Sequence, residues 1–348
     1  MQTHLNRNDT INLGSYYTPT KLINLTYALL KKHLKEHFDE YTLLDNSCGY
    51  GEFLNVDTLN KKIAGDIDEV ALAKVKINQK YIVNALNGAN RGSYGISANE
   101  KLIIIGNPPY NDTTSQIRKN LKRKEFLVDD ELQSRDIGIS FLRSYVRLLP
   151  DYICILHPLS YLIKQANFNL LKSFKDQYKL VDNLVVSSKY FTKGMEFPIA
   201  IALYEKGSMD FKYINDFTFK TENGSSFKLK NFDFIGNYLN KYPRKTVKEL
   251  AGYFYTMRDI NALKRNKTFL KEKCANAIPI ERGQLPYYHY VNLFKTYANN
   301  IPFWLGNLDV FIDNDFFRKH VNDFIKSSES GKLSKLVDDY FQRITKQT

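Results

Sequence analysis

Residues 101–110, KLIIIGNPPY, constrain the fold of this chain more than any other stretch. A short apolar run ends at Gly106, two prolines halt regular structure, and an aromatic follows at once. An apolar run of this length, bounded by such breakers, predicts a buried strand of a parallel sheet. Asn107, Pro108, Pro109 and Tyr110 then fall at its carboxyl end, where open α/β sheets hold their ligands. The prolines fix φ and remove backbone donors, so the carbonyls of Asn107 and Pro108 are available as acceptors. The Asn107 side chain adds another acceptor, and Tyr110 offers a flat apolar face. Together these groups suit a planar ring that bears an amino group. The plain alternative is a Pro-Pro turn with a packed tyrosine.

Residues 41–54 read as strand, glycine turn and helix start. Asp45 ends the strand, and Gly49 and Gly51 permit a tight turn with close approach of backbone to a ligand. Residues 62–68 form a second short strand ending in acid. Asp66 stands about 20 residues after Asp45, the spacing at which nucleotide-binding α/β folds place a ribose-binding carboxylate. Its alternative role is a solvated strand end or a helix cap. A helical pattern follows over 69–79. Upstream, Thr18 before Pro19 predicts a helix start with proline at the first helical position, followed by apolar periodicity over 22–34. Further short apolar runs at 81–84, 151–158, 180–186 and 197–204 read as strands, so the fold class is α/β. His157 near the end of one run reads as a packed or hydrated histidine in preference to a base.

The chain of 348 residues can bury a full core and carry a second, smaller domain. No apolar segment approaches the roughly 20 residues that cross a bilayer. The start, MQTHLNR, lacks the apolar centre of a signal peptide, so a cytoplasmic protein is expected. Cys48, Cys154 and Cys274 are far apart and show no paired metal spacing, so no metal and only reduced thiols are expected. The net charge of +13 favours a polyanionic partner, most simply nucleic acid. Past about residue 206 the periodicity weakens, which divides the chain into 1–206 and 207–348. In the second part Arg244, Lys264 and Arg265 recur among aromatics, and residues 282–290 mix Arg282 and Gln284 with tyrosines. Arg and Gln suit base edges, and Lys suits phosphates. A further basic run containing Arg118, Lys122 and Arg123 follows the Asn-Pro-Pro-Tyr segment and suits phosphate contact near the same site. For each of these the alternative is a solvated charged face. The sequence shows no internal repeat and no low-complexity segment.

Three segments carry a resemblance. Asn107-Pro108-Pro109-Tyr110 resembles the catalytic motif of the amino-methyltransferases that use S-adenosylmethionine. The pattern Asp45-x-x-Cys48-Gly49-x-Gly51-x-Phe53 resembles their cofactor turn, although Asn46 stands where the family often has proline. The pattern Gly14-x-x-Tyr17-Thr18-Pro19 resembles a segment that closes over the cofactor. Their order resembles the gamma class of DNA adenine-N6 methyltransferases, over roughly residues 14–205. The resemblance implies a Rossmann-like catalytic domain at 1–206 and a target-recognition region at 207–348. It implies that Tyr17, Thr18, Asp45 and the turn of Cys48, Gly49, Gly51 and Phe53 hold the methionine end, and Asp66 the ribose, with Asn107 also beside the cofactor. Asn84 stands where an acidic residue usually meets the cofactor's adenine. Phe191, before the last strand, would supply a second stacking face opposite Tyr110, with Tyr190 as the fallback. The implied partner is double-stranded DNA, acted on by base flipping in a restriction-modification system whose endonuclease is a separate protein. A monomer or weak dimer is expected. Protein-glutamine and some ribosomal RNA methyltransferases share the Asn-Pro-Pro-Tyr spelling. The glutamine enzymes generally have a helical domain before the cofactor turn and end soon after the last strand, unlike this chain. An RNA methyltransferase and a non-catalytic DNA-binding relic are the remaining alternatives.

Overall fold

The computed structural model describes residues 17–110 and 127–346, apart from 193, 195 and 245. The chain divides into two compact units, Met1–Asn215 with Phe219–Ser225, and Asp216–Thr218 with Ser226–Thr348.

The first unit is built on seven strands: β1 Thr42–Asp45, β2 Lys62–Asp66, β3 Gln79–Ile82, β4 Leu102–Gly106, β5 Tyr152–Pro158, β6 Tyr178–Ser187 and β7 Pro198–Lys206. Their order in the sheet is β3-β2-β1-β4-β5-β7-β6. The first five run parallel, and β7 inserts antiparallel between β5 and β6. This is the expected α/β class with a mostly parallel, Rossmann-like sheet. β4 is buried at all five positions, as its unbroken apolar run requires. The chain order reverses between β1 and β4, so the carboxyl ends of these neighbours flank the crevice where such sheets bind ligands.

Some boundaries differ from the sequence expectation. β3 lies two residues upstream of the expected run, ending at Ile82 and leaving Asn84 beyond the strand. The helix expected at 69–79 is only α2, Glu69–Ala73, capped by Asp68, which accepts from the backbone N–H groups of Val70 and Ala71. The glycine turn leads into a single 3-10 turn, Glu52–Asn55, and not into a helix. The long amphipathic helix α1, Thr20–Leu34, is present, with Leu22, Ile23, Tyr27, Leu30 and Leu34 on its buried face. It begins one residue later than expected, with Pro19 at the cap position in an extended conformation. Thr18 therefore does not cap the helix.

The second unit holds a three-stranded antiparallel sheet in which Leu250–Tyr255 pairs with both Phe269–Leu270 and Ala277–Glu281. Its helices Leu285–Tyr297, Val321–Ser330 and Lys335–Lys346 close on an aromatic core. Tyr290 lies at the centre with Phe324, Tyr340 and Phe341 packed against it. Its buried hydroxyl donates to the Phe311 carbonyl at 2.9 Å. Many aromatics of this part are thus core residues, which the sequence could not separate from stacking residues.

Candidate active site

Asn107 follows β4 directly and meets Thr18 from the segment before α1. Its Nδ2 donates to Thr18 Oγ1 at 3.1 Å. Freed from capping, the Thr18 side chain is buried and turned to this bond. The other end of the amide, Asn107 Oδ1, is buried and has no hydrogen-bond partner among the described residues. A buried acceptor left unpaired is destabilising by roughly 1–3 kcal/mol, so a ligand donor that fills it gains that interaction. Pro108 is buried beside it, and Pro109 and Tyr110 are partly buried.

Tyr110 rests on the start of helix α3, Ile137–Tyr145. A Cβ at Gly138 would fall 3.0 Å from Tyr110 Cβ and 2.5 Å from the Tyr161 hydroxyl oxygen. The Tyr161 hydroxyl donates to Asp136 Oδ1 at 2.5 Å, and Asp136 also caps α3 by accepting from the Gly138 N–H at 3.1 Å. Gly138 is thus where this helix comes close enough to support the tyrosine.

Asp45, at the end of β1, is only 2% exposed. Burial pushes its carboxyl up to about 8, with the nearby Asp66 adding to the rise and the Ser47 N–H opposing it. It forms no ion pair among the described residues. Gly106 explains its seat: a Cβ there would lie 2.8 Å from Asp45 Oδ1, and the backbone has φ +144°. Sequence reading took Gly106 only as the end of a strand. Its left-handed φ and its contact with β1 were visible only in the fold.

The glycine turn lies against the ends of β1 and β2. Gly49 and Gly51 have φ +53° and +77°, which side chains disfavour. A Cβ on Gly51 would also meet Val75 at 2.8 Å. Asp66 braces this turn. Its Oδ2 accepts from the Gly49 N–H at 2.7 Å and its Oδ1 from the Asp68 N–H at 2.9 Å. Burial raises its pKa against the pull of these bonds. Each oxygen keeps further acceptor capacity. A Cβ on Gly65 would fall 2.5 Å from the Tyr94 ring and 3.3 Å from Asn46 Cα, and the Gly65 carbonyl accepts from the Cys48 N–H at 3.0 Å. Cys48 is buried, with its Sγ donating to the Gly49 carbonyl at 3.7 Å. Phe53 is a buried core side chain. Tyr17 is 45% exposed.

The amide of Asn84 is engaged at both ends. Nδ2 donates to the Leu127 carbonyl at 2.8 Å, and Oδ1 accepts from the Leu86 N–H at 3.0 Å. Phe191 lies just after β6, whose carboxyl end shares a sheet edge with those of β4 and β5, because β7 runs antiparallel to both β5 and β6. It is half-buried against the core, as is Tyr190. The Tyr190 hydroxyl donates to Glu222 Oε2 at 2.8 Å, which holds this ring in place. His157 is buried, with Nε2 2.6 Å from the Tyr204 hydroxyl and Nδ1 3.0 Å from the Pro158 carbonyl. Burial pushes its pKa down to about 4, so it is a neutral packing residue at pH 7.

In the second unit the expected nucleic-acid residues differ in their freedom. Arg244 and Arg265 are exposed, and Lys264 is partly buried. Arg282 is ion-paired with Glu249, and Gln284 Oε1 accepts from Asn240 Nδ2 at 3.1 Å. These contacts use Arg282 Nε and Gln284 Oε1 and leave the other donors of both side chains for further partners. Gly14, Arg118, Lys122 and Arg123 lie outside the described residues. Among the described residues no helix is long and apolar enough to cross a membrane.

No protein-family model matches the chain, and no curated protein is similar to it. Solved structures similar in backbone include a Listeria monocytogenes protein described as a class I S-adenosylmethionine-dependent methyltransferase, at 15% identity and TM-score 0.42, over 64% of this chain and 68% of that one. Another is described as the modification subunit of a type I restriction enzyme from Vibrio vulnificus, at 14% identity and TM-score 0.41, over 60% of this chain and 47% of that one. A third is described as an RNA methyltransferase from Pyrococcus horikoshii, at 16% identity and TM-score 0.39, over 59% of this chain and 94% of that one.

Proposed function

We propose that the chain is a methyltransferase that uses S-adenosylmethionine and acts on the N6 amino group of adenine in double-stranded DNA. The observation that carries this reading is the buried, unpaired Oδ1 of Asn107, held in place by Thr18 at the end of β4. A planar amino group has two hydrogens to donate, and Asn107 Oδ1 with the Pro108 carbonyl would accept them. The amino lone pair is otherwise delocalised into the ring. Drawing on both hydrogens returns electron density to nitrogen and orients it for attack, and the spare proton leaves to water. Tyr110 and Phe191 would hold the ring between them, after rotation of the nucleotide out of the stack.

The crevice fits a cationic cofactor. Asp45 is a buried carboxyl that is neutral at pH 7 without a counter-charge and becomes a good partner for an ammonium group once it ionises. Asp66 has acceptor capacity left for vicinal hydroxyls, and the turn of Gly49 and Gly51 keeps side chains out of the way. Tyr17 and Thr18 would complete the methionine end. When bound, S-adenosylmethionine supplies a methyl group on a positively charged sulfur, open to direct displacement by a nitrogen nucleophile. In this reading the second unit recognises the DNA target, as the modification half of a restriction-modification system with a separate endonuclease.

The test uses labelled S-adenosylmethionine with unmethylated duplex DNA, RNA and a translation release factor in parallel, followed by mass spectrometry of the digests. N6-methyladenine in duplex DNA is the expected product. Label only in RNA or protein would replace the substrate. We expect Asn107→Ala to abolish transfer while cofactor affinity stays within about threefold, since the amide serves the acceptor base. Equal loss of cofactor binding in a folded Asn107→Ala protein would contradict that role.

A further inference from the structure

Glu222, which lies outside every motif of the sequence, has three partners: the Ser187 N–H, the Tyr190 hydroxyl and Lys21. It sits in the turn between the short strands Phe219–Lys220 and Ser226–Phe227 and lies along β6, where its backbone N–H donates to the Val185 carbonyl at 3.0 Å. Its two carboxylate oxygens serve two different groups. Oε1 accepts from the Ser187 N–H at 3.3 Å, and Oε2 from the Tyr190 hydroxyl at 2.8 Å. Lys21, in the first turn of α1, is 3.6 Å from Oε2. The same ammonium lies over the Tyr190 ring, 5.0 Å from its centre, and bonds its hydroxyl.

This cluster joins the two chain segments that bracket the crevice. Lys21 stands three residues beyond Thr18, the partner of Asn107. Tyr190 stands immediately before Phe191, whose own N–H donates to the Ser188 carbonyl at 2.9 Å. The start of α1 is therefore tied to Asn107 on one side and to the Ser188–Phe191 turn on the other. An exposed ion pair such as Lys21–Glu222 contributes little to global stability.

We infer that Glu222, with Lys21 and Tyr190, is a positioning group that fixes Phe191 relative to Asn107 and so sets the width of the slot for the acceptor base. The inference rests on the methyltransferase reading. It assigns Tyr190 to the frame and leaves Phe191 as the ring that faces substrate. Neither Glu222 nor Lys21 touches the reacting atoms.

The experiment compares wild type, Glu222→Ala, Glu222→Gln, Tyr190→Phe and the Glu222→Ala/Tyr190→Phe double variant as full chains. Transfer from S-adenosylmethionine to duplex DNA gives KM and kcat, and equilibrium binding gives the cofactor Kd. Glu222→Ala should raise KM for DNA about fivefold to tenfold and leave cofactor Kd within twofold. Glu222→Gln, which keeps one acceptor, should recover part of the loss. The double variant should be no worse than Glu222→Ala, because both remove one connection. Additive losses, or a matching fall in cofactor affinity, would overturn the inference. Hydrogen exchange provides a readout independent of activity. The amides of Lys189 and Phe191 should exchange faster in Glu222→Ala while β5 stays protected, and unchanged exchange there would sink the proposal. If wild type transfers no methyl group to any acceptor, the function reading fails, and the exchange result still judges the tie.

Discussion

Asp45 is a carboxyl buried without a cation. With burial pushing its pKa up to about 8, it would have to lose a proton to pair with a cationic ligand at neutral pH. Binding of S-adenosylmethionine should therefore tighten with rising pH, by up to about tenfold per unit, and level off above about pH 8. Calorimetry in buffers of different ionisation enthalpy should detect the released proton, and Asp45→Asn should flatten the slope. A slope that survives in Asp45→Asn would assign the proton elsewhere. The sign for stability is opposite. The folded state holds the Asp45 proton more tightly than the unfolded state, so this group's contribution falls as pH rises from about 4 to about 8. At this scale Asp45 was legible as the end of a strand and Gly49 and Gly51 as a tight turn, because closely spaced glycines after an apolar run permit the positive φ that the turn adopts. Asp66 was legible as a strand-ending acid, but its bonds to Gly49 and Asp68 depend on how β2 lies beside β1. Phe53 fills the core, and a phenylalanine in a motif looks the same in sequence whether it does that or lines a crevice.

Elements decide whether the tyrosine of the Asn-Pro-Pro-Tyr segment has something to lean on. Helix α3 supplies that support through Gly138, where two tyrosines crowd the missing Cβ. Gly138→Ala should destabilise the protein by about 1–3 kcal/mol through overpacking. It should raise KM for DNA more than cofactor Kd, since Tyr110 shifts and Asp45 does not. Thermal melts with paired binding and turnover measurements check this, and an effect confined to cofactor affinity would contradict it. Strands were legible where apolar runs met hard stops, as at Gly106. Helix lengths were less so, because α2 ends after five residues although the apolar pattern continues. The cap of α1 was misread since Thr-Pro satisfies a local rule that the contact between Thr18 and Asn107 overrides. Glu222 could not be found from sequence at all: its partners at 21, 187 and 190 converge only when the sheet has formed.

For the molecule as a whole, the excess of 50 Lys and Arg over 37 Asp and Glu is a statement about partners. If that excess serves nucleic acid, affinity for duplex DNA should fall at least about tenfold between 50 and 200 mM salt, as released counterions require. A flat salt profile in a direct binding assay would remove DNA as the polyanion. Arg282 and Gln284, already engaged with Glu249 and Asn240, should contribute less to that slope than exposed Arg244 and Arg265. The strand order of the first unit also has a consequence in time. β6 and β7 meet across a turn of about ten residues, whereas Thr42 of β1 must find Leu102 of β4 across some 60 residues of intervening chain. Loop-closure entropy puts the hairpin early and the β1–β4 junction late. The candidate crevice lies at that later junction, so it is expected to be completed after the hairpin as the chain folds.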